Sequence, residues 1–264
     1  MGYVRARKRV LFSIFVSDVT NFDHLLRRTS AVVFGPVCVQ LLLSKVSASW
    51  TPMDLGLCVT EEHLHSVIGY LEKEGYIVSS PGDAQRSYSP RSVVKDIVFL
   101  ERADQNINIV ISNRPASIIP VFQLHSTLVM NYLTADIFFC AYPCLTAKFR
   151  GLVNGLCMRD GRFVLSGIVE LIAYERRGFH LATNTRSWNV NDKTWGKQGC
   201  EKNLYCPSNF RASQDAGCLY VRLDSSGRVP HVDEDIDRPL IMWTLGWETC
   251  GGMHEAAESQ LYVL

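Results

Sequence analysis

The sequence has almost no net charge and no long apolar run, and each absence excludes a class of protein. Its 27 Lys and Arg residues nearly balance its 26 Asp and Glu residues, which gives a formal net charge of +1. A strong basic excess is typical of a dedicated nucleic-acid binder, so only a local basic patch is compatible with such a function here. The longest apolar stretches are interrupted by Lys45 and Asp136 before they reach the length of a membrane span. We therefore expect no membrane segment and find no strong nucleic-acid signal.

The N-terminal residues lack the complete pattern of a secretory leader. The basic residues 5–9 and the apolar residues 10–16 match its first two regions, but Asp18 ends the apolar run and no small-residue cleavage site follows. We expect a first helix or strand here. The basic run is then either a nuclear address or, more commonly for such a run, a short solvated flank.

The cysteine content does not fit a disulfide framework. Nine cysteines are an odd number, and several lie within apolar runs such as residues 138–144. This usage is typical of buried thiols in a reducing compartment, so we expect a cytoplasmic or nuclear protein. The nine are Cys38, Cys58, Cys140, Cys144, Cys157, Cys200, Cys206, Cys218 and Cys250.

The periodicity of apolar residues predicts an α+β fold with a substantial core. Of the 264 residues, 47% are hydrophobic, and this length allows one or two domains. The clearest helix covers residues 60–75, with Thr60 predicted as its cap and Gly75 as its stop. Further helices are predicted over residues 21–28, 37–43, 115–123 and 166–177, and strands over residues 92–101, 106–112, 218–223 and 239–245. The last two strands would form a hairpin whose acidic loop spans residues 233–237.

Residues 31–59 contain the outline of a nucleotidyl-transfer site. Gly35-Pro36 precedes an apolar run that ends at Leu43, and the later segment of residues 50–59 contains Asp54-Leu-Gly56. The pattern resembles the nucleotidyltransferase signature, in which Gly-Ser opens a helix and the following strand carries two alternating acidic residues. Pro36 stands in the place of the serine, and Gly56 stands in the place of the second acid.

These two departures affect the chemistry that the resemblance implies. Acidic residues at positions i and i+2 of a strand share one face and, with a third carboxylate from a neighbouring strand, hold two magnesium ions. Asp54 alone cannot do this. The neighbouring segment offers the amides Asn106 and Asn108, which are poorer magnesium ligands, while Glu101 falls outside the matching position. Pro36 is an acceptable first helical residue but gives a triphosphate neither an N–H group nor a hydroxyl.

Motifs further along the chain resemble a group of fungal nucleotidyltransferase-like proteins. The resemblance covers roughly residues 15–250 and follows the order of motifs in that group. It implies a nucleotidyltransferase-like mixed sheet with packed helices over residues 15–150, followed by a smaller α+β C-terminal lid or accessory region over residues 151–264. The matching residues are Phe122, His125-Ser126-Thr127, Met130-Asn131, Tyr142-Pro143, Arg177-Gly178-Phe179, Cys206-Pro207, Arg211 and Asp215.

The resemblance also suggests which residues bind a nucleoside triphosphate and its magnesium. Asp54 is the predicted catalytic metal ligand, and Gly35 and Pro36 are predicted to line the nucleotide site with it. His125 and Asn131 are further candidates, because a histidine and an amide beside a pocket can orient a base or a phosphate. The alternative is that both are buried polar groups bonded to the backbone, as interior polar residues usually are.

One set of residues suggests a zinc site. Thiolates from Cys200, Cys206 and Cys218 with the imidazole of His180 would give tetrahedral coordination in a stretch without core-forming periodicity. The spacing differs from the close Cys-x2-Cys pair of common zinc fingers, so buried or isolated thiols remain the alternative.

Three classes of function follow. The first is a degenerate nucleotidyltransferase-like protein with impaired catalysis that binds a nucleotide or a protein partner, and the loss of carboxylates favours it. The second is an active magnesium-dependent nucleotidyltransferase that uses Asp54. The third is a structural interaction domain, with zinc as an optional ligand.

Overall fold

The computed structural model describes residues 2–43, 49–79, 92–155, 164–188, 203–223, 240–246 and 260–263. These residues form an α+β fold with a mixed sheet of eight strands and two smaller sheets of three and two strands. The chain divides into two compact units. The first unit comprises Met1–Val121, Val129–Cys140 and Tyr220–His231, and the second comprises Phe122–Leu128, Ala141–Leu219 and Val232–Leu264.

The described residues contain six α-helices, numbered in chain order. They are α1 (Gly2–Phe12), α2 (Val19–Thr29), α3 (Pro36–Leu42), α4 (Leu64–Lys73), α5 (Pro143–Ala147) and α6 (Val164–Arg176). Single 3-10 turns cover Glu61–His63, Ile119–Gln123 and Thr185–Trp188. Across the described ranges we find no helix with the length and hydropathy that a bilayer crossing requires.

Thirteen strands are described. They are β1 (Val32–Phe34), β2 (Asp54–Thr60), β3 (Ile77–Val78), β4 (Val94–Arg102), β5 (Gln105–Ser112), β6 (Asn131–Leu133), β7 (Ile137–Cys140), β8 (Arg150–Leu152), β9 (His180–Ala182), β10 (Arg211–Ala212), β11 (Leu219–Arg222), β12 (Ile241–Thr244) and β13 (Gln260–Val263). The large sheet has the order β11-β7-β6-β1-β2-β5-β4-β3. Only β2 and β5 are described as a parallel pair within it, while β10-β12-β13 and β8-β9 form the smaller sheets.

Helix boundaries follow local capping chemistry where the sequence supplies it. The carboxylate of Asp18 accepts hydrogen bonds from the backbone N–H groups of Thr20 and Asn21 and begins α2. The predicted helix from Thr60 begins later, because Thr60 ends β2 and a 3-10 turn precedes α4. Thr60 makes no side-chain cap, so that part of the prediction is wrong. Gly75 adopts a φ of 88° just after α4, as predicted for a helix stop.

The core of the first unit lies between the large sheet and the first helices. Leu55, Leu57 and Ile107 are fully buried, and they alternate with residues of the opposite face that include the half-buried Asp54 and the exposed Asn106. Helix α3 packs against β1, β2 and β6. The polar side chains at the start of β2 and β5 therefore lie on the face opposite Leu55, Leu57 and Ile107.

The predicted pairing of two strands is wrong. The strands predicted over residues 218–223 and 239–245 exist as β11 and β12, but they belong to different sheets and form no hairpin with each other. Periodicity identified each strand correctly and carried no information about its pairing partner. The loops predicted over residues 79–90 and 233–237 lie almost entirely outside the described residues.

The basic N-terminal run is not a solvated flank. It lies in α1, where Lys8 is only 2% exposed and forms an ion pair with Asp23 at 2.7 Å. The Lys8 ammonium also donates to the carbonyl of Ala135 at 2.5 Å, and Arg5 donates to the carbonyl of Leu223 at 2.8 Å. Burial lowers the pKa of Lys8, an effect that the Asp23 carboxylate opposes without cancelling. Part of this basic run therefore stabilises the first unit.

Candidate functional site

Asp54 is the first residue of β2. This is the strand on which the nucleotidyltransferase signature places its acidic residues. Asp54 is half-buried and pairs in register with Asn106 of β5. The side-chain amide of Asn106 donates to Asp54 Oδ1 at 3.3 Å, which confirms that both side chains lie on the same face. The third position of the expected carboxylate set is therefore occupied by an amide.

Gly56 stands two residues further along β2, opposite Phe34 of β1. A Cβ atom built at Gly56 would lie 2.7 Å from Phe34 Cζ and 2.8 Å from both Cε atoms. Real Cβ atoms essentially never show such contacts. The ring of Phe34 therefore occupies the space in which the side chain of a second acidic residue would begin.

The three distances also define how the ring lies. If the Cβ atom built at Gly56 lay in the plane of the ring beyond Cζ, it would be much closer to Cζ than to the two Cε atoms. The three distances are instead nearly equal. Phe34 therefore covers Gly56 with one face of its ring. Phe34 is only half-buried, so the residue retains some solvent-accessible surface.

One other acidic side chain lies on the same part of the sheet face. The register pairs Glu101 of β4 with Asn106, so Asp54, Asn106 and Glu101 form a row across three strands. Glu101 therefore lies one strand beyond the position of the third carboxylate, which Asn106 occupies, in agreement with the expectation from the sequence. Two strand spacings of about 4.8 Å place the Cα atoms of Asp54 and Glu101 roughly 10 Å apart, with Asn106 between them. Two directly adjacent carboxylates are absent from this row of described residues.

The start of α3 offers little to a triphosphate. Gly35 has a φ of 81° and provides no side-chain cap, and Pro36 occupies the first helical turn. The Gly35 carbonyl accepts from the N–H groups of Cys38 and Val39 at 3.0 and 3.2 Å, as expected for the first intrahelical bonds. Pro36 thus allows the helix to form, as predicted.

The other two predicted nucleotide contacts are interior residues, each in a different unit. His125 in the second unit is 8% exposed, and Asn131 in the first unit is fully buried. Burial lowers the pKa of His125 to about 4, so its imidazole is neutral at physiological pH. The ring lies 5.8 Å from that of Tyr174. A neutral imidazole in this environment is a poor partner for a phosphate.

The residues proposed for zinc are only partly described, because Cys200 lies outside the described residues. His180 is exposed at the start of β9, while Cys206 is buried. The Cys218 thiol lies 3.4 Å from the carbonyl oxygen of Ala212. Within the described part of the chain, no group of three or more His, Cys, Asp or Glu side chains is arranged to hold a metal ion.

Several of the motif residues in the C-terminal half form one buried cluster in the second unit. Arg211 is 2% exposed and donates to both carboxylate oxygens of Asp215 at 2.5 and 2.8 Å. Its guanidinium also lies 4.5 Å from the Tyr142 ring centroid and 5.5 Å from that of Trp243. Burial is the largest single influence and lowers the pKa of Arg211, but the hydrogen bonds to Asp215 and the negative charges of Tyr142, Cys218 and Asp215 together outweigh it, so the pKa rises. Arg211 and Asp215, which belong to the motifs of the resemblance, thus form a structural ion pair.

Sequence reasoning missed Phe34 as a site residue. The residue belongs to an ordinary apolar strand, and nothing in its local pattern indicates that it faces Gly56. The register shows that it belongs to a row running across six strands, in the order Phe139, Tyr132, Phe34, Gly56, Asn108 and Phe99. Within this row, the rings of Phe139 and Tyr132 are stacked, with centroids 4.9 Å apart.

Comparison with models of known protein families, with curated proteins and with solved structures found no match to the chain. The function of the chain is therefore inferred from the geometry of the site itself.

Proposed function

We propose that the chain is a degenerate nucleotidyltransferase-like protein that binds a nucleotide and does not transfer it. The observation that supports this most directly is the packing of the Phe34 ring on Gly56. Two-metal catalysis requires carboxylates that share coordination of both ions. Here one of the expected positions lacks a side chain and the aromatic ring fills the space above it.

The remaining groups support binding rather than turnover. Asp54 provides one carboxylate at the start of β2, and the side-chain amide of Asn106 donates a hydrogen bond to it. An amide oxygen carries no charge, so the pair offers one negative charge for the two divalent ions that a transferring phosphoryl group needs. We therefore expect any nucleotide to bind without strict dependence on magnesium.

The test is a turnover and binding screen with the four ribonucleoside triphosphates in Mg²⁺ or Mn²⁺. We expect no pyrophosphate release by the wild-type chain, together with a rise in melting temperature caused by ligand that binds the folded state. Pyrophosphate release that Asp54→Asn abolishes would show instead that the chain is an active enzyme. A chain that gives neither release nor a thermal shift would contradict nucleotide binding and would favour a protein partner or a structural role.

A repaired variant makes the test of catalysis sharper. Pro36→Ser restores the hydroxyl at the helix start, and Gly56→Asp restores the second acid. Because Phe34 occupies the space at Gly56, the repair also requires Phe34→Ala. Phe34→Ala alone is the matched control, since it opens the space without adding a carboxylate. Because Phe34→Ala also removes an aromatic ring that could contact the nucleotide, turnover is measured at saturating nucleoside triphosphate. Turnover by the triple variant, with none by the control or the wild type, would strongly support descent from an active site.

A further inference from the structure

The face of the large sheet that carries Asp54 combines an aromatic ring with hydrogen-bonding groups. Phe34 covers Gly56 with one face of its ring, and the residue as a whole is only half-buried. Asn108 of β5 is the in-register neighbour of Gly56 and is itself half-buried. An amide edge thus lies one strand spacing, about 4.8 Å, from the glycine under the ring.

A second row of polar groups lies beside the first. Asp54 and Asn106 are two residues from Gly56 and Asn108 on the same strands, about 7 Å along the sheet. In the paired part of β1, β2, β5 and β4, the charged residues that share this face are Asp54 and Glu101, and both are acidic. The described face therefore presents hydrogen-bonding groups and negative charge without a basic group to attract a phosphate.

This chemistry selects the ligand. A flat ring stacks favourably on a solvent-accessible aromatic face, and an asparagine amide can both donate to and accept from the edge of a base. A carboxylate accepts hydrogen bonds from ribose hydroxyls but repels a phosphate that carries no metal. A nucleoside satisfies all three conditions through its base and ribose.

We propose that Phe34 is a stacking platform for the base of a nucleoside or nucleotide, with Asn108 reading the edge of that base. Asp54 and Asn106 accept or donate hydrogen bonds at the ribose. The base, and not the triphosphate, supplies most of the affinity. This proposal rests on the nucleotide-binding function proposed above and specifies which part of the ligand is recognised.

The test is isothermal titration calorimetry of the full chain with adenosine, guanosine, cytidine, uridine and ATP, with and without Mg²⁺. Ribose 5-phosphate and tripolyphosphate serve as probes without a base. We expect a nucleoside to bind within about 3-fold of its triphosphate and independently of Mg²⁺, because stacking is the main interaction. Purines should bind more tightly than pyrimidines, since their larger rings stack over more surface.

Substitutions then locate the site. Phe34→Leu should weaken nucleoside binding by about 10-fold or more, whereas Phe34→Tyr should retain it because the ring remains. Phe210→Leu is the matched control, since Phe210 is also a partly exposed phenylalanine and lies in the second unit. Asn108→Ala should reduce the discrimination between bases. Circular dichroism melts of each variant distinguish lost binding from lost folding.

The outcomes separate this proposal from the function on which it rests. Binding that tightens with phosphate number and requires Mg²⁺, or that survives Phe34→Leu unchanged, would overturn the stacking platform while leaving nucleotide binding intact. Failure of every nucleoside and nucleotide to bind would overturn both. Nucleoside binding that Phe34→Tyr retains and Phe34→Leu weakens would support both the stacking platform and the nucleotide-binding function.

Discussion

The ring of Phe34 lies against Gly56 on the neighbouring strand, close enough that a Cβ atom at position 56 would be 2.7 Å from Phe34 Cζ. The glycine and the ring are complementary in shape, since the missing side chain provides the space that the ring fills. This contact leaves no space for an acidic side chain at position 56 and places an aromatic ring there instead.

This contact predicts a strong coupling between the two positions. Gly56→Ala should destabilise the chain by about 1–3 kcal/mol, because the new methyl group must displace the ring. In a Phe34→Ala background the same substitution should cost much less, which urea unfolding of the four variants would measure as a coupling energy.

Gly69→Ala in α4 is the control, since its Cβ atom meets nothing within 4 Å. There we expect a gain of about 0.5–1 kcal/mol from helix propensity. Equal effects of Gly56→Ala in both backgrounds would contradict the contact.

The Arg211–Asp215 pair should be essential for the stability of the second unit. Arg211→Met leaves a half-buried carboxylate without its partner, and removal of one member of a buried pair costs about 3–5 kcal/mol. Arg211→Lys should also destabilise, because an ammonium cannot reproduce the bidentate geometry. The control is Arg27→Ala, which removes a bidentate pair with Asp136 whose side chains are 45% and 46% exposed. We expect that change to cost less than about 1 kcal/mol. Similar losses in thermal melts of both variants would contradict the buried role of Arg211.

Acidification should destabilise the chain through His125. Burial lowers the pKa of its imidazole to about 4 from the ordinary histidine value of 6.5, so the unfolded chain binds a proton that the folded chain resists. Above pH 6.5 both states are neutral and this contribution to stability is fully present. As the pH falls from 6.5 to 4, about 3 kcal/mol is lost.

Urea unfolding at a series of pH values would measure this effect. His125→Phe should flatten the dependence of the unfolding free energy on pH between 6.5 and 4, whatever its effect on stability at neutral pH. Parallel curves for wild type and variant would show that His125 titrates normally in the folded chain.

The thiols should differ widely in reactivity. Cys38 and Cys58 are fully buried, and burial raises the pKa of each, whereas Cys144 is exposed. Among these three thiols, alkylation of the native chain with iodoacetamide should therefore modify Cys144 first, and the two buried thiols only through unfolding. Peptide mass mapping over time gives the rate at each position. Modification of Cys58 as fast as that of Cys144 would show that the sheet face above it is open.

Much of the fold could be predicted because its signals are local. The apolar spacing of Phe22, Leu25 and Leu26 predicted α2, and those side chains are buried as expected. The strand predicted over residues 106–112 is β5, extended by one residue. Its two asparagines were identified as the nearest replacements for the third carboxylate, and the register places them beside Asp54 and Gly56.

The errors arose where a residue's role depends on a distant partner. Thr60 has the right chemistry for a helix cap, but β2 continues through it because its strand pairing with Ser112 extends that far. The basic residues of α1 looked like a solvated flank, although Lys8 is buried against Asp23 and Ala135. In each case the residue can be read from the sequence, but its contact with a distant part of the chain cannot.

The sequence alone therefore determined the α+β class, the positions of most of the described α-helices and of the longest strands, and the absence of an acidic side chain at position 56, because periodicity and residue chemistry are properties of neighbouring positions. Only the tertiary structure decided that Phe34 covers Gly56, that Glu101 lies in the same row as Asp54, and that Arg211 is buried on Asp215. Cross-strand register and side-chain burial are set by the packing of segments far apart in the chain, so no local pattern encodes them.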